Sequence, residues 1–300
     1  MFSSPHRNTA FDLLGTFFLI WMGCFLLFNL LSAAIIILLH GKDIYTQMDS
    51  TLQMARQHPG LIKTLQMILS AGMFGLPPLL LILVSRHVSW SFLRLHRPPE
   101  FLQVMLTLVI GVSSGPFVAW ALEVNQQVQL PPALESLFRS LQTSQEQLLE
   151  MLLVMHTPAD LAVNFLMIAI IPAVAEELLF RGALQQLLEK ALQNVHVAIL
   201  LTAAFFSLIH FEFYGFLPRF FMGILLGYLF YFSQNLWLAM AGHLFFNGIQ
   251  VILLYLYQVG LIQFDINHMQ AFPPLVTMIS TVFMIGALYL FDRYSQTAGN

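Results

Sequence analysis

Long apolar runs alternate with short polar connectors along most of the chain. A run of about 20 apolar residues is long enough to cross the hydrocarbon core of a bilayer as an α-helix. The pattern therefore predicts an all-α, polytopic membrane protein with about eight transmembrane helices. The predicted spans are 13–39, 65–85, 101–122, 161–190, 195–211, 217–233, 236–259 and 273–291. The fifth and sixth spans are short and are separated only by residues 211–216.

Composition supports a membrane protein, because 58% of the residues are hydrophobic and only 9% are charged. A soluble domain carries roughly 25% charged residues. The net charge of −3 gives no basic surface for nucleic acid, so no nucleic-acid partner is expected. Span 13–39 exceeds the roughly 7–15-residue apolar core of a cleaved signal peptide. We therefore expect a retained first helix in a multi-pass protein. The expected location is a bacterial inner membrane.

The polar connectors divide the chain into regions. Three membrane helices are predicted in 1–122, a polar connector in 123–160, a second group of membrane helices in 161–259, and a last helix and tail in 273–300. The apolar residues of 123–160 recur at helical spacing, which predicts an amphipathic helix that either covers the membrane domain or forms a mobile lid. Connector 86–100 is mainly basic and is predicted to be cytoplasmic.

Charged side chains interrupt one of the apolar runs, at 171–182. A charge at the centre of a membrane helix costs about 2.5–3.5 kcal/mol on insertion scales, so such residues usually face a protein interior and mark function. Glu177 and Arg181 are four residues apart and share a helix face, whereas Glu176 is rotated by about 100° from Glu177. A structural ion pair would explain Glu177 and Arg181. It would leave Glu176 unexplained.

Three more polar side chains lie on the apolar helices that follow. His210 comes one helical turn after Phe206, and His243 and Asn247 are likewise four residues apart. Taken singly, a packed core histidine and an interhelical hydrogen bond are sufficient explanations. Together with Glu176, however, they supply a base, a proton carrier and a stabiliser for an oxyanion.

These three patterns resemble the motifs of the CPBP family, which comprises the CAAX prenyl proteases and bacteriocin-processing enzymes and includes the type II CAAX endopeptidases. The resembling motifs are Glu176-Glu177-x-x-x-Arg181, Phe206-x-x-x-His210 and His243-x-x-x-Asn247. The resemblance covers roughly 160–255. It implies a conical helix bundle around a water-filled intramembrane cavity, and intramembrane proteolysis of the glutamic type without a covalent intermediate.

The resemblance also implies residue roles. Glu176 and His210 would act on a water molecule, while His243 and Asn247 would stabilise the oxyanion. Glu177 and Arg181, with Phe206, would support the site. The implied partners are the lipid bilayer and a peptide or protein substrate, lipidated or embedded in the membrane, and no cofactor is expected.

Three alternatives stay open at this point. Glu176, His210 and His243 could instead bind a catalytic zinc ion, since two histidines and a glutamate with an open water position form a known site. The chain could be a non-catalytic membrane regulator or immunity protein on the same fold. It could also be a proton-coupled transporter, although no internal repeat is visible.

Overall fold

The computed structural model describes residues 5–41, 51–263 and 272–298, and every regular element in these ranges is helical. We number the helices in chain order. They are α1 (Pro5–His40), α2 (Thr51–Gln57), α3 (Pro59–Val84), α4 (Phe101–Gln126), α5 (Pro132–Leu152), α6 (Pro158–Leu192), α7 (Val195–Leu208), α8 (Phe216–Ser233), α9 (Leu236–Gln258) and α10 (Pro274–Ala298).

Within the described ranges, seven helices are long and apolar enough to cross a membrane: α1, α3, α4, α6, α8, α9 and α10. The predicted polytopic all-α fold is therefore confirmed. The predicted span 195–211 differs, because α7 contains only 14 residues and ends at Leu208. At about 1.5 Å per residue, α7 is shorter than the roughly 30 Å hydrocarbon core. Phe211, with a φ of 53°, turns the chain away shortly after α7 ends.

Two of the membrane helices contain π-helical turns, which change the backbone hydrogen-bond register. In α3 the turn covers Ala71–Gly75 and lies just before Pro77 and Pro78. In α6 one turn covers Leu166–Ile170, ahead of Pro172, and a second covers Phe180–Gln185. Proline has no backbone N–H to donate, which favours a shift of register nearby. The regular segment between the two turns of α6 carries Glu176 and Glu177.

Helices α6 and α9 form the centre of the bundle. Half of the most apolar window of each is buried, against 11% for α1 and 17% for α10. One apolar cluster joins α6 to α1, α3 and α7 around Phe180 and Leu184. A second joins α4, α8, α9 and α10 around Leu226 and Phe291. The polar residues of α6 and α9 are therefore enclosed by packed apolar helices.

Helix α5 lies within the polar connector, where an amphipathic helix was predicted. Its Phe138 stacks on Phe213 with ring centroids 5.1 Å apart, and its Arg139 guanidinium lies 4.6 Å from the ring centroid of Tyr214. Its Gln145 side-chain amide donates to the backbone oxygen of His210 at 3.4 Å. Helix α5 therefore packs against the short segment that joins α7 to α8.

Candidate active site

A completely buried ion pair lies at the centre of α6. The side chains of Glu177 and Arg181 have no solvent exposure, and Arg181 Nη1 donates to Glu177 Oε1 at 2.6 Å. Arg181 Nη2 donates to the backbone oxygen of Gly223 in α8 at 2.8 Å. The guanidinium therefore ties α6 to α8. Because a buried charge is tolerated only when it is paired and hydrogen-bonded, this pair holds the centre of the site in one arrangement.

The same glutamate orients His243 on α9. His243 Nδ1 lies 2.9 Å from Glu177 Oε1, and an ionised carboxylate can only accept, so Nδ1 carries the hydrogen. The amide Nδ2 of Asn247 donates to the backbone oxygen of Ile168 at 2.9 Å and lies 3.2 Å from His243 Nε2. Ile168 belongs to the first π turn of α6. In the neutral state of the ring, Nε2 therefore accepts a hydrogen bond from Asn247.

Glu176 lies on the other side of the imidazole ring. Its Oε2 is 3.9 Å from His243 Nε2, which is too long for a hydrogen bond. Among the described residues, none donates a hydrogen bond to the Glu176 carboxylate. The side chain is nevertheless only 10% exposed. Glu176 is thus a buried carboxylate beside a histidine, with acceptor capacity left for a small ligand such as water.

His210 follows α7 and is held by its own helix end. Its Nδ1 lies 2.8 Å from the backbone oxygen of Phe206, and a carbonyl oxygen can only accept. Nδ1 therefore carries the hydrogen, which leaves Nε2 of the neutral ring as a free acceptor. The chain turns at Phe211 immediately after this residue.

The Phe206 ring lies among the polar groups of the site. Its centroid is 5.1 Å from that of His210 and 6.0 Å from that of His243, with edge-to-face geometry in both cases. The Arg181 guanidinium carbon lies 5.2 Å from the same centroid, within the range of a cation–π contact. The three motifs thus meet around one aromatic side chain.

One charged residue near the site was not identified from the sequence. Arg219, in the first turn of α8, forms an ion pair with Glu212, and its charge interacts with those of Glu176 and His210. It lies in the predicted span 217–233, so the available signal was a cation inside an apolar run.

The predicted zinc ligands do not form a recognisable metal site. Across the described ranges, no group of three or more His, Cys, Asp or Glu side chains is arranged to hold a metal ion. His243 directs one ring nitrogen to Glu177, and His210 directs one to a backbone carbonyl. One ring nitrogen of each histidine is therefore occupied by a hydrogen bond within the protein.

A family model described as Rce1-like, type II CAAX prenyl endopeptidase, matches residues 158–249. No curated protein and no solved structure matches the chain. The matched segment begins at the first residue of α6, ends in α9, and contains all three motifs. It covers under a third of the chain and indicates a protease. The match confirms the resemblance predicted from the motifs: residues 158–249, which run from α6 into α9, are similar to the Rce1-like, type II CAAX prenyl endopeptidase family.

Proposed function

We propose that this protein is a glutamic-type intramembrane endopeptidase that hydrolyses a peptide bond in a membrane-associated peptide or protein. The observation that carries the proposal is the convergence of the three motifs in one buried cluster. Glu176, Glu177 and Arg181 of α6 meet His243 and Asn247 of α9, and Phe206 packs against both this cluster and His210. The family match supports the same class of reaction.

In the proposed reaction, Glu176 and His210 activate water. Both have acceptor capacity that no described residue uses, on the Glu176 carboxylate and on His210 Nε2. As the water oxygen forms a bond to the peptide carbonyl carbon, Glu176 takes one water proton. The protonated base then gives a proton to the amide nitrogen as the C–N bond breaks, which yields a carboxylic acid and an amine. Such positioned proton transfer contributes about 10²–10⁴-fold.

His243 and Asn247 are proposed to stabilise the oxyanion of the tetrahedral intermediate. The Asn247 amide donates to Ile168 and lies beside His243 Nε2, so one of these contacts is exchanged for the oxyanion during reaction. His243 donates to the oxyanion from Nε2 when both ring nitrogens carry hydrogen, with Nδ1 donating to Glu177 at 2.9 Å. A preorganised donor of this kind is worth about 10²–10³-fold.

Glu177 and Arg181 have a positioning role in this proposal. Glu177 accepts from both Arg181 and His243, and Arg181 also donates to α8. The pair therefore fixes the orientation of the imidazole relative to Glu176. No metal is proposed for the reaction, and the zinc alternative with Glu176, His210 and His243 is separated from it by treatment with a strong chelator.

The substrate is proposed to be membrane-associated because the site lies among buried, apolar membrane helices. The test is cleavage of a peptide library by the purified protein in nanodiscs, with each sequence present in lipidated and unlipidated form. We expect the membrane-associated forms to be cleaved at least tenfold faster than the freely soluble forms. Equal cleavage of freely soluble peptides would refute this part of the proposal. The bacterial inner membrane stays a prediction.

A further inference from the structure

A polar cavity lies at one end of the bundle, outside the candidate active site. Its volume is about 480 Å³, within the roughly 300–1,000 Å³ range of small-ligand pockets. It is lined by the connector between α3 and α4, the end of α6, the start of α7 and the end of α8. The side chains that matter here are Arg94, Gln185, Glu189, Lys190, Gln193 and Gln234.

The connector is held firmly at this end of the bundle. The backbone oxygen of Arg94 accepts from the N–H of Leu236 at 3.1 Å, and that of Phe92 accepts from the Gln186 side chain at 2.8 Å. The indole of Trp237 donates to the backbone oxygen of Leu95 at 3.1 Å. Because these contacts join a connector to the ends of membrane helices, the cavity lies at the level where lipid headgroups meet the protein.

The cavity carries two cations, Arg94 and Lys190, neither of which forms a salt bridge within the described ranges. The charge of Lys190 is repelled by that of Arg94 and attracted by that of Glu189, which also lines the cavity. The Lys190 ammonium lies 4.7 Å from the ring centroid of Phe92. Residues 85–100, 185–195 and 228–240 together contain four basic residues against two acidic ones, Glu100 and Glu189. An anion bound between Arg94 and Lys190 would relieve their repulsion.

The cavity also offers a buried acceptor. Gln185 is 1% exposed; its Nε2 donates to the backbone oxygen of Gly227 at 3.1 Å, whereas its Oε1 has no hydrogen-bond partner. A buried acceptor without a partner costs about 1–3 kcal/mol. A ligand that presents a hydroxyl group beside its phosphate would remove this cost.

Three helical segments end at the same cavity. Arg94, Gln193 and Gln234 are the residues that end them, each with a left-handed backbone, which is a common way for a helix to terminate. The side-chain amides of Gln193 and Gln234 donate to the backbone oxygens of Lys190 and Tyr231 at 2.6 and 2.7 Å. The rim of the cavity is therefore formed by capped helix ends.

We propose that this cavity binds a glycerophosphate group, with the phosphate between Arg94 and Lys190 and the hydroxyl groups directed to Gln185 and Glu189. The position at the ends of membrane helices suits the headgroup of an anionic phospholipid such as phosphatidylglycerol. Soluble glycerol phosphate offers the same chemistry from another source. The site is independent of the proposed protease activity.

The test measures lipid binding by native mass spectrometry and thermal unfolding in nanodiscs of phosphatidylglycerol or phosphatidylcholine, with soluble glycerol phosphate as a third arm. We expect a preference for phosphatidylglycerol that weakens about tenfold or more in Arg94→Gln/Lys190→Gln. The matched control is Arg86→Gln/Arg97→Gln, which removes two exposed charges from the same connector outside the cavity. Equal binding of soluble glycerol phosphate would assign the free compound as ligand; binding only in nanodiscs would assign the lipid.

Four results would overturn the proposal. Wild-type protein that binds both lipids equally would remove the headgroup preference. Equal losses in the two double variants would assign the effect to general surface charge. The variant Arg94→Lys/Lys190→Arg keeps both charges and so separates loss of charge from misfolding. If this variant folds and loses lipid binding as completely as Arg94→Gln/Lys190→Gln, the two charges do not cause the binding. Lower stability of Arg94→Gln/Lys190→Gln with an unchanged lipid preference would show that these cations only complement the helix ends.

Discussion

Helices α7 and α8 approach each other closely at Gly223. A substitution that prevents this approach should have a clear effect on the free energy of unfolding. A Cβ added at Gly223 of α8 would lie 2.8 Å from Ala203 Cβ and 2.9 Å from Ala203 Cα. Carbon atoms in contact are normally about 3.5–4.0 Å apart, so the two helices would have to separate by about 1 Å. The obstacle is backbone and Cβ, which cannot rotate away. We therefore expect Gly223→Ala to destabilise the protein by about 1–3 kcal/mol.

The matched control is Gly286→Ala in α10, where an added Cβ meets no atom within 4 Å. There, alanine should be neutral or stabilising by up to about 1 kcal/mol, because glycine is the poorer helix former. Thermal unfolding in one detergent or nanodisc preparation measures both variants. A Gly223→Ala protein as stable as Gly286→Ala would refute the packing argument.

The same substitution should also lower activity. The backbone oxygen of Gly223 accepts from Arg181, which holds Glu177 and, through it, His243. A shift of about 1 Å in α8 would therefore disturb the candidate site from a position that does not contact substrate. Misplacement of this size can cost about 10²-fold in rate. Full activity of a folded Gly223→Ala protein would contradict the proposed positioning role of Arg181.

The remaining predictions concern the site itself. Arg181→Met should destabilise by about 3–5 kcal/mol in thermal or denaturant unfolding, because Glu177 would remain buried without its cation, and a change below 1 kcal/mol would contradict this account. Asn247→Ala should lower kcat about 10²–10³-fold with little change in KM, since the lost donor acts on the oxyanion; a change confined to KM would assign Asn247 to ground-state binding. His210→Ala should lower kcat about 10²–10⁴-fold while the unfolding temperature changes little, and unimpaired kcat would remove His210 from the proton transfer. A strong chelator should leave cleavage unchanged; loss of activity that zinc restores would favour the metal alternative with Glu176, His210 and His243.

Much of the architecture follows from residue patterns that act locally. The apolar runs identify the seven helices long enough to cross a membrane, and the four-residue spacings place Glu177 with Arg181 and His243 with Asn247 on common faces. The motif resemblance predicts one site built from α6, α7 and α9, and in the structure Phe206 and Glu177 both contact His243. The amphipathic helix inside the polar connector was also predictable from apolar spacing.

The features that could not be predicted depend on contacts between distant residues. The early end of α7 depends on the turn at Phe211, whose apolar sequence resembles a continuing helix. Which nitrogen of each imidazole carries the hydrogen is decided by an acceptor: Glu177 for His243 and the Phe206 carbonyl for His210. No spacing rule identifies these acceptors. The π turns of α6 similarly result from register changes whose positions depend on packing. The ion pair of Arg219 with Glu212 likewise joins residues that no spacing rule relates.

The measurement that tests the central claim most directly is the cleavage rate of Glu176→Gln in nanodiscs, with its unfolding temperature measured in parallel. Glutamine keeps the size of the side chain and removes the base, so we expect the rate to fall about 10²–10⁴-fold while the fold is kept. The matched control is Glu123→Gln, an exposed glutamate near the end of α4 and outside the candidate active site, which should keep the wild-type rate. A folded Glu176→Gln protein that cleaves at the rate of this control would contradict the account.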